Sequence, residues 1–124
     1  MDTATRTLVR QRAGDCCEYC GLPQGAETFF KFHIEHIVAR QHGGGDDPGN
    51  LALACHHCNL HKGTNLSTVD ARSGALVELF HPRTMKWTEH FERRDARVEG
   101  RTTIGRGTVA LLRMNAPDRQ RLRS

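Results

Sequence analysis

Aromatic residues are scarce in this chain of 124 residues, which has five Phe, one Tyr and one Trp, and its hydrophobic share is only 37%. A core built from so little bulk is thin, and a domain of this size benefits from a covalent or metal staple. No stretch approaches the roughly 18 consecutive apolar residues of a membrane span. The N-terminus, Met-Asp-Thr-Ala-Thr-Arg, has no apolar run behind its charges, so the chain reads as a cytoplasmic protein without membrane association. The length fits one compact domain over 1–124 and is short for two, and no internal repeat or linker divides it.

Cysteine, by contrast, is present five times. In a reducing compartment two close pairs, Cys17/Cys20 and Cys55/Cys58, are better explained by metal than by disulfides. Cys17 to Pro23 reads as a tight knuckle in which two thiolates grip one face of an ion. Cys55 and Cys58, at i and i+3 of an expected helix, supply the other face. Cys17, Cys20, Cys55 and Cys58 together make a four-sulfur Zn²⁺ site, structural because no coordination position stays open for water. Cys16 is left over, and His56 and His57 point away from the helical cysteines.

Charge is unevenly spread. The net charge is +4, and residues 101–124 carry six arginines against the single acid Asp118, a local excess of +5. A basic balance favours a polyanion such as nucleic acid, although many basic faces are merely solvated.

The hydrophobic pattern predicts a short helix from about Thr3 to Ala13 and strand material between Phe29 and Arg40. A loop from Gln41 to Gly49 follows. Asn50 is then placed to cap a helix running from Leu51 to about Lys62 and closed by Gly63. Further strands are expected at Leu76–Phe80 and Phe91–Glu99, a helix at Thr103–Met114, and an Arg-rich tail from Pro117. The fold class is α+β: a metal-held strand pair and helix, about 15–65, with an additional strand/helix layer, about 75–124.

Between the cysteine pairs lie Glu35-His36-Ile37, a glycine-rich loop, Asn50-Leu51, and then Cys58-Asn59-Leu60-His61-Lys62-Gly63. Residues 17–63 resemble the HNH, or ββα-metal, endonucleases in both order and spacing, with 14 residues from His36 to Asn50 and nine from Asn50 to Asn59. The resemblance implies a nuclease in which His36 is the general base, Glu35 and Asn59 are ligands of a catalytic divalent ion, and Asn50 braces the loop that orients His36. Phosphodiester cleavage needs an activated water, a cation on the phosphate and a means of aligning them. Adjacent residues of an extended segment diverge, so Glu35 and His36 can serve separate demands. Asn stands at position 59 where many family members have His. An oxygen-donor pair of Glu35 carboxylate and Asn59 carbonyl suits Mg²⁺ or Mn²⁺ better than Zn²⁺ or Ni²⁺.

The partner implied is DNA, as duplex, with oligomeric state open. Lys62 is read either as a phosphate contact or as a cation complementing the helix C-terminus. Arg83 and Arg106, with Arg101 and Arg113, are expected to track phosphates. The second half loosely resembles the C-terminal extension of small stand-alone bacterial HNH proteins, and Phe80, Trp87, Phe91, Val109, Leu111 and Leu112 read as its core. Two rivals stand beside the nuclease. One is a non-catalytic zinc-stabilised DNA-binding module. The other is a zinc nucleobase deaminase, prompted by His33-Ile34-Glu35 and Cys55-x-x-Cys58, which leaves Cys17, Cys20 and Asn59 unexplained.

Overall fold

The computed structural model describes residues 1–124. Helix α1 spans Thr3–Arg12 and is capped by Asp2, whose side chain accepts from the Thr5 N–H at 2.8 Å. Strands β1 (His33–His36) and β2 (Leu51–Ala54) pair antiparallel, with Glu35 opposite Ala52 and His36 opposite Leu51. Helix α2 (His56–Lys62) follows at once, and α1, β1 and α2 all pack around β2. This is the ββα arrangement, and the whole is a small α+β fold.

The expected helix from Leu51 is corrected to a strand followed by a helix. Leu-Ala-Leu-Ala favours helix by intrinsic propensity, but all four side chains are buried between β1 and the elements around it. Tertiary pairing decides the conformation over a preference this weak. Asn50 is therefore not a helix cap. Cys55 caps α2 instead, its Sγ accepting from the Cys58 N–H at 3.4 Å. Only His33–His36 of the expected strand region is strand, and Phe29 and Phe30 lie exposed before it.

The second layer consists of two hairpins and three helices. Strands β3 (Ser67–Val69) and β4 (Leu76–Glu78) form one antiparallel pair. A one-turn helix α3 (Trp87–His90) leads into β5 (Phe91–Arg94), which pairs with β6 (Arg97–Gly100). The stretch expected as one strand is thus a hairpin, turning at Asp95 with φ +52°. Helix α4 (Thr103–Leu111) packs on β3, β4 and β6. The expected tail is a further helix, α5 (Pro117–Arg123), started by proline at its first turn, where a missing N–H costs nothing.

One hydrophobic cluster runs through both layers, from Val9, Tyr19 and Phe32 through Leu51 and Leu53 to Phe80, Phe91, Val98, Leu112 and Met114. Trp87, Val109 and Leu111 pack against it partly buried. No helix is long and apolar enough to cross a membrane.

Candidate metal centre and cleft

The knuckle after α1 and the start of α2 bring four thiols together. The Sγ atoms of Cys17, Cys20, Cys55 and Cys58 all lie within 4.8 Å of one another, and all four residues are buried. Zinc–sulfur bonds of about 2.3 Å set the sulfurs of a tetrahedral site about 3.8 Å apart. Cys20 and Cys55 stand 3.8 Å apart. The donor set and its spacing therefore fit zinc. Hydrogen bonds from neighbouring thiols, that of Cys17 foremost, lower the pKa of Cys20 and Cys55, whereas burial raises that of Cys17 and hydrogen bonds with the other thiols raise that of Cys58. Cys16 stays outside the cluster, with its thiol directed to the Gly14 carbonyl at 3.4 Å.

A residue of the expected tail completes this centre. Arg119 of α5 is buried and donates from Nη2 to Cys55 Sγ at 3.4 Å, while its Nη1 lies 3.6 Å from Glu27. A guanidinium facing sulfur offsets the charge of a thiolate cluster and fixes a ligand's orientation. Sequence reasoning missed it because nothing in an Arg-rich tail marks which arginine turns inward.

An open cleft of ≈ 400 Å³ on the other side of β1 is lined by Glu35, His36 and Asn59, among others. Alternation along β1 separates the two neighbours, as expected. Glu35 turns inward and is buried, with its Oε1 accepting from the Tyr19 hydroxyl and its Oε2 lying 3.3 Å from Lys62 Nζ. Burial pushes the Glu35 carboxyl up, and the Lys62 ammonium and Tyr19 hydroxyl oppose it. His36 turns outward, and its Nε2 meets Asp46 Oδ1 at 2.7 Å. Arg40 also holds Asp46, at 2.9 and 3.1 Å. The hydrogen bond to His36, then the charge of Arg40, keeps Asp46 below the usual carboxylate range. No motif in the glycine-rich loop singled out Asp46.

Asn50 spans the loop between β1 and β2. Its Oδ1 accepts from the Val38 N–H at 2.9 Å, and its Nδ2 donates to the Val38 and Gly45 carbonyls at 3.0 and 2.9 Å. The loop is packed so closely that a Cβ on Gly44 would sit 1.7 Å from the Val38 carbonyl oxygen.

Three residues expected to meet phosphates are internally committed. Lys62 is buried, paired with Glu35 and bonded to the Ile37 carbonyl at 3.0 Å, so its ammonium is not offered to a ligand at the surface. Arg83 pairs with Glu18, whose other oxygen accepts from the Leu53 N–H at 2.8 Å. Arg106 forms a two-pronged pair with Asp70 at 3.1 and 3.0 Å. Each of these cations is tied into the fold by an internal pair. Beside the cleft, His33 Nε2 faces His56 Nδ1 at 3.1 Å, and the Phe30 ring stacks on His56 at 4.2 Å.

A family model described as HNH endonuclease matches residues 17–65, from the first knuckle cysteine to just beyond Lys62. No curated protein and no solved structure matches the chain.

Proposed function

We propose, from the match of residues 17–65 to an HNH endonuclease family model, that the protein is a divalent-metal-dependent endonuclease hydrolysing phosphodiester bonds of DNA. The observation that carries this reading is that Glu35, His36 and Asn59 border one cleft. His36 is the general base. With Nε2 held by Asp46, its Nδ1 is the nitrogen left to take a proton from water. The water oxygen forms a bond to phosphorus, the bond from phosphorus to the leaving oxygen breaks, and that oxygen is protonated from solvent.

Glu35 and Asn59 would hold Mg²⁺ or Mn²⁺, which as a Lewis acid supplies charge stabilisation at the phosphate. Their donors fit a hard cation. Glu35 Oε1 accepts from Tyr19 and Oε2 is ion-paired with Lys62, each keeping further lone pairs, and the Asn59 side-chain amide makes no hydrogen bond within the protein. Lys62 and Tyr19 stabilise the ionised form of Glu35 that ligation needs. Asn50 holds the loop that carries Asp46 against His36.

Plasmid nicking tests the proposal. Zinc-loaded protein should nick with Mg²⁺ or Mn²⁺, and His36→Ala should abolish this. Equal activity in both removes His36 as base, and activity restored after chelation only by Zn²⁺ or Ni²⁺ overturns the hard-ion assignment. One observation favours the non-catalytic DNA-binding module: both Glu35 oxygens are already engaged, as in a purely structural ion pair. Binding of duplex without nicking by the wild type supports that second reading.

A further inference from the structure

Arg83 and Arg106 are paired with acids within the protein, which leaves open which cations meet a nucleic-acid backbone. A second groove, of ≈ 430 Å³, lies between α1 and β1, and Arg6, Arg10 and Arg40 line it with His33 and His36 and with no acid. His33, Ile34, His36 and Arg40 border both this groove and the cleft containing Glu35 and Asn59. The two depressions therefore meet along β1. A chain lying in one reaches the other by crossing His36.

The charges have a built arrangement. Arg6 and Arg10 are at i and i+4 on α1 and so share a face. The Arg6 side chain is exposed and makes no ion pair or hydrogen bond within the protein. Arg10 is half-buried and fixed by donation from Nη2 to the Phe32 carbonyl at 2.8 Å, and its Nη1 is buried without an acceptor in the protein. Arg40 stands at the shared border with 68% of its side chain exposed, and its partner Asp46 lies outside the groove lining. Helix α1 precedes the segment matched by the family model.

We propose that the groove between α1 and β1 is a phosphate track. It seats the DNA backbone flanking the scissile phosphate on Arg6 and Arg10, with Arg40 at the passage to His36. The proposal rests on the nuclease reading for its substrate. Contacts of this kind fix position without reading sequence, and each neutralised phosphate releases counterions.

The test is fluorescence-anisotropy binding of a short mixed-sequence duplex to zinc-loaded His36→Ala protein, which does not consume the probe, across a salt series. In this background Arg6→Ala should lower the log-affinity against log-salt slope by ~0.9, which makes the affinity lost between about 50 and about 200 mM salt roughly 3.5-fold smaller. Arg6→Glu should weaken binding further, and Arg121→Ala, an exposed change on α5, should do neither. Because the Arg6 side chain is exposed and makes no hydrogen bond or ion pair within the protein, Arg6→Ala removes no internal polar contact. Unchanged binding in Arg6→Glu, or an equal loss in Arg121→Ala, overturns the track. So does tighter binding of single-stranded RNA with the same Arg6 dependence. The two readings fail separately. Cleavage by wild type with binding indifferent to Arg6 removes the track alone. Arg6-dependent duplex binding without cleavage by wild type removes the nuclease reading and leaves the track.

Discussion

Lys62 Nζ lies 3.3 Å from Glu35 Oε2, and at 3% and 4% exposure neither side chain sees appreciable solvent. A charge buried in this way depends on its partner, and removing one member of a buried pair costs about 3–5 kcal/mol. Lys62→Met should therefore destabilise the zinc-loaded protein by about that amount in urea unfolding, with Lys62→Met/Glu35→Gln recovering most of the loss. The single change should also give a pH signature. Burial already raises the Glu35 pKa, and losing Lys62 removes the main opposing influence. The folded carboxyl then keeps its proton where the unfolded one has lost it, so stability falls as pH rises above the usual carboxylate range. A double variant no more stable than the single one would mean that the pair is not what Lys62 supports.

Asn50 answers three loop backbone groups with one side chain. Asn50→Ala leaves the Val38 N–H and two carbonyls without that partner, a cost of about 1–3 kcal/mol for each group that water does not reach. Gly44→Ala attacks the same loop sterically, through a Cβ 1.7 Å from the Val38 oxygen. Both should reduce nicking more than they reduce cooperative unfolding of the β1/β2/α2 unit, because the loop carries Asp46 to His36. Nicking that falls only in step with the unfolded fraction would make Asn50 a stability residue and nothing more.

The cysteine cluster was legible in the sequence because ligand spacing is a local constraint that survives any packing, and the adjacency of Glu35 to His36 was legible for the same reason. Asn50 and Asn59 were recognisable by their distances along the chain from His36. What was hidden depended on contacts between distant segments. Leu51–Ala54 reads as helix until β1 pairs with it, and Lys62, Arg83 and Arg106 read as surface cations until Glu35, Glu18 and Asp70 meet them across the fold. Arg119 was lost within a run of similar residues. Arg6 and Arg10 carried the weakest signal, since a basic face on a short amphipathic helix is usually just solvated.

Arg119 places a guanidinium nitrogen 3.4 Å from Cys55 Sγ. Outer-shell partners of metal ligands commonly account for 10–100-fold in metal affinity. Arg119→Ala should therefore weaken zinc by about that factor in competition with a chromophoric chelator, and Arg119→Lys should recover part of it. Complete zinc removal should unfold the β1/β2/α2 unit and abolish nicking, with Mg²⁺ unable to restore it until zinc returns. Full zinc affinity in Arg119→Ala would reduce the contact to a packing role with Glu27.

Asp70 ties the β3/β4 hairpin to α4. It accepts two bonds from Arg106 and two from Ser73, the latter at 3.2 and 2.7 Å. Arg106 first, and Ser73 second, hold its carboxyl well below the usual carboxylate range. An acid whose folded pKa is depressed contributes stability that is present above its unfolded value, about 3.9, and is lost as pH falls through the folded one. Asp70→Asn should thus lower Tm near neutrality, and the gap from wild type should close as pH drops below about 4. Acid also protonates the zinc thiolates and unfolds both proteins for that separate reason, so the informative quantity is the difference between them at each pH. Arg106→Ala should show the same closing gap, with no change in the salt dependence of duplex binding. A gap that stays constant with pH would show that Asp70 acts through its hydrogen bonds to Ser73 rather than through its charge. An Arg106→Ala protein with a reduced salt slope would return that arginine to the phosphate-binding surface.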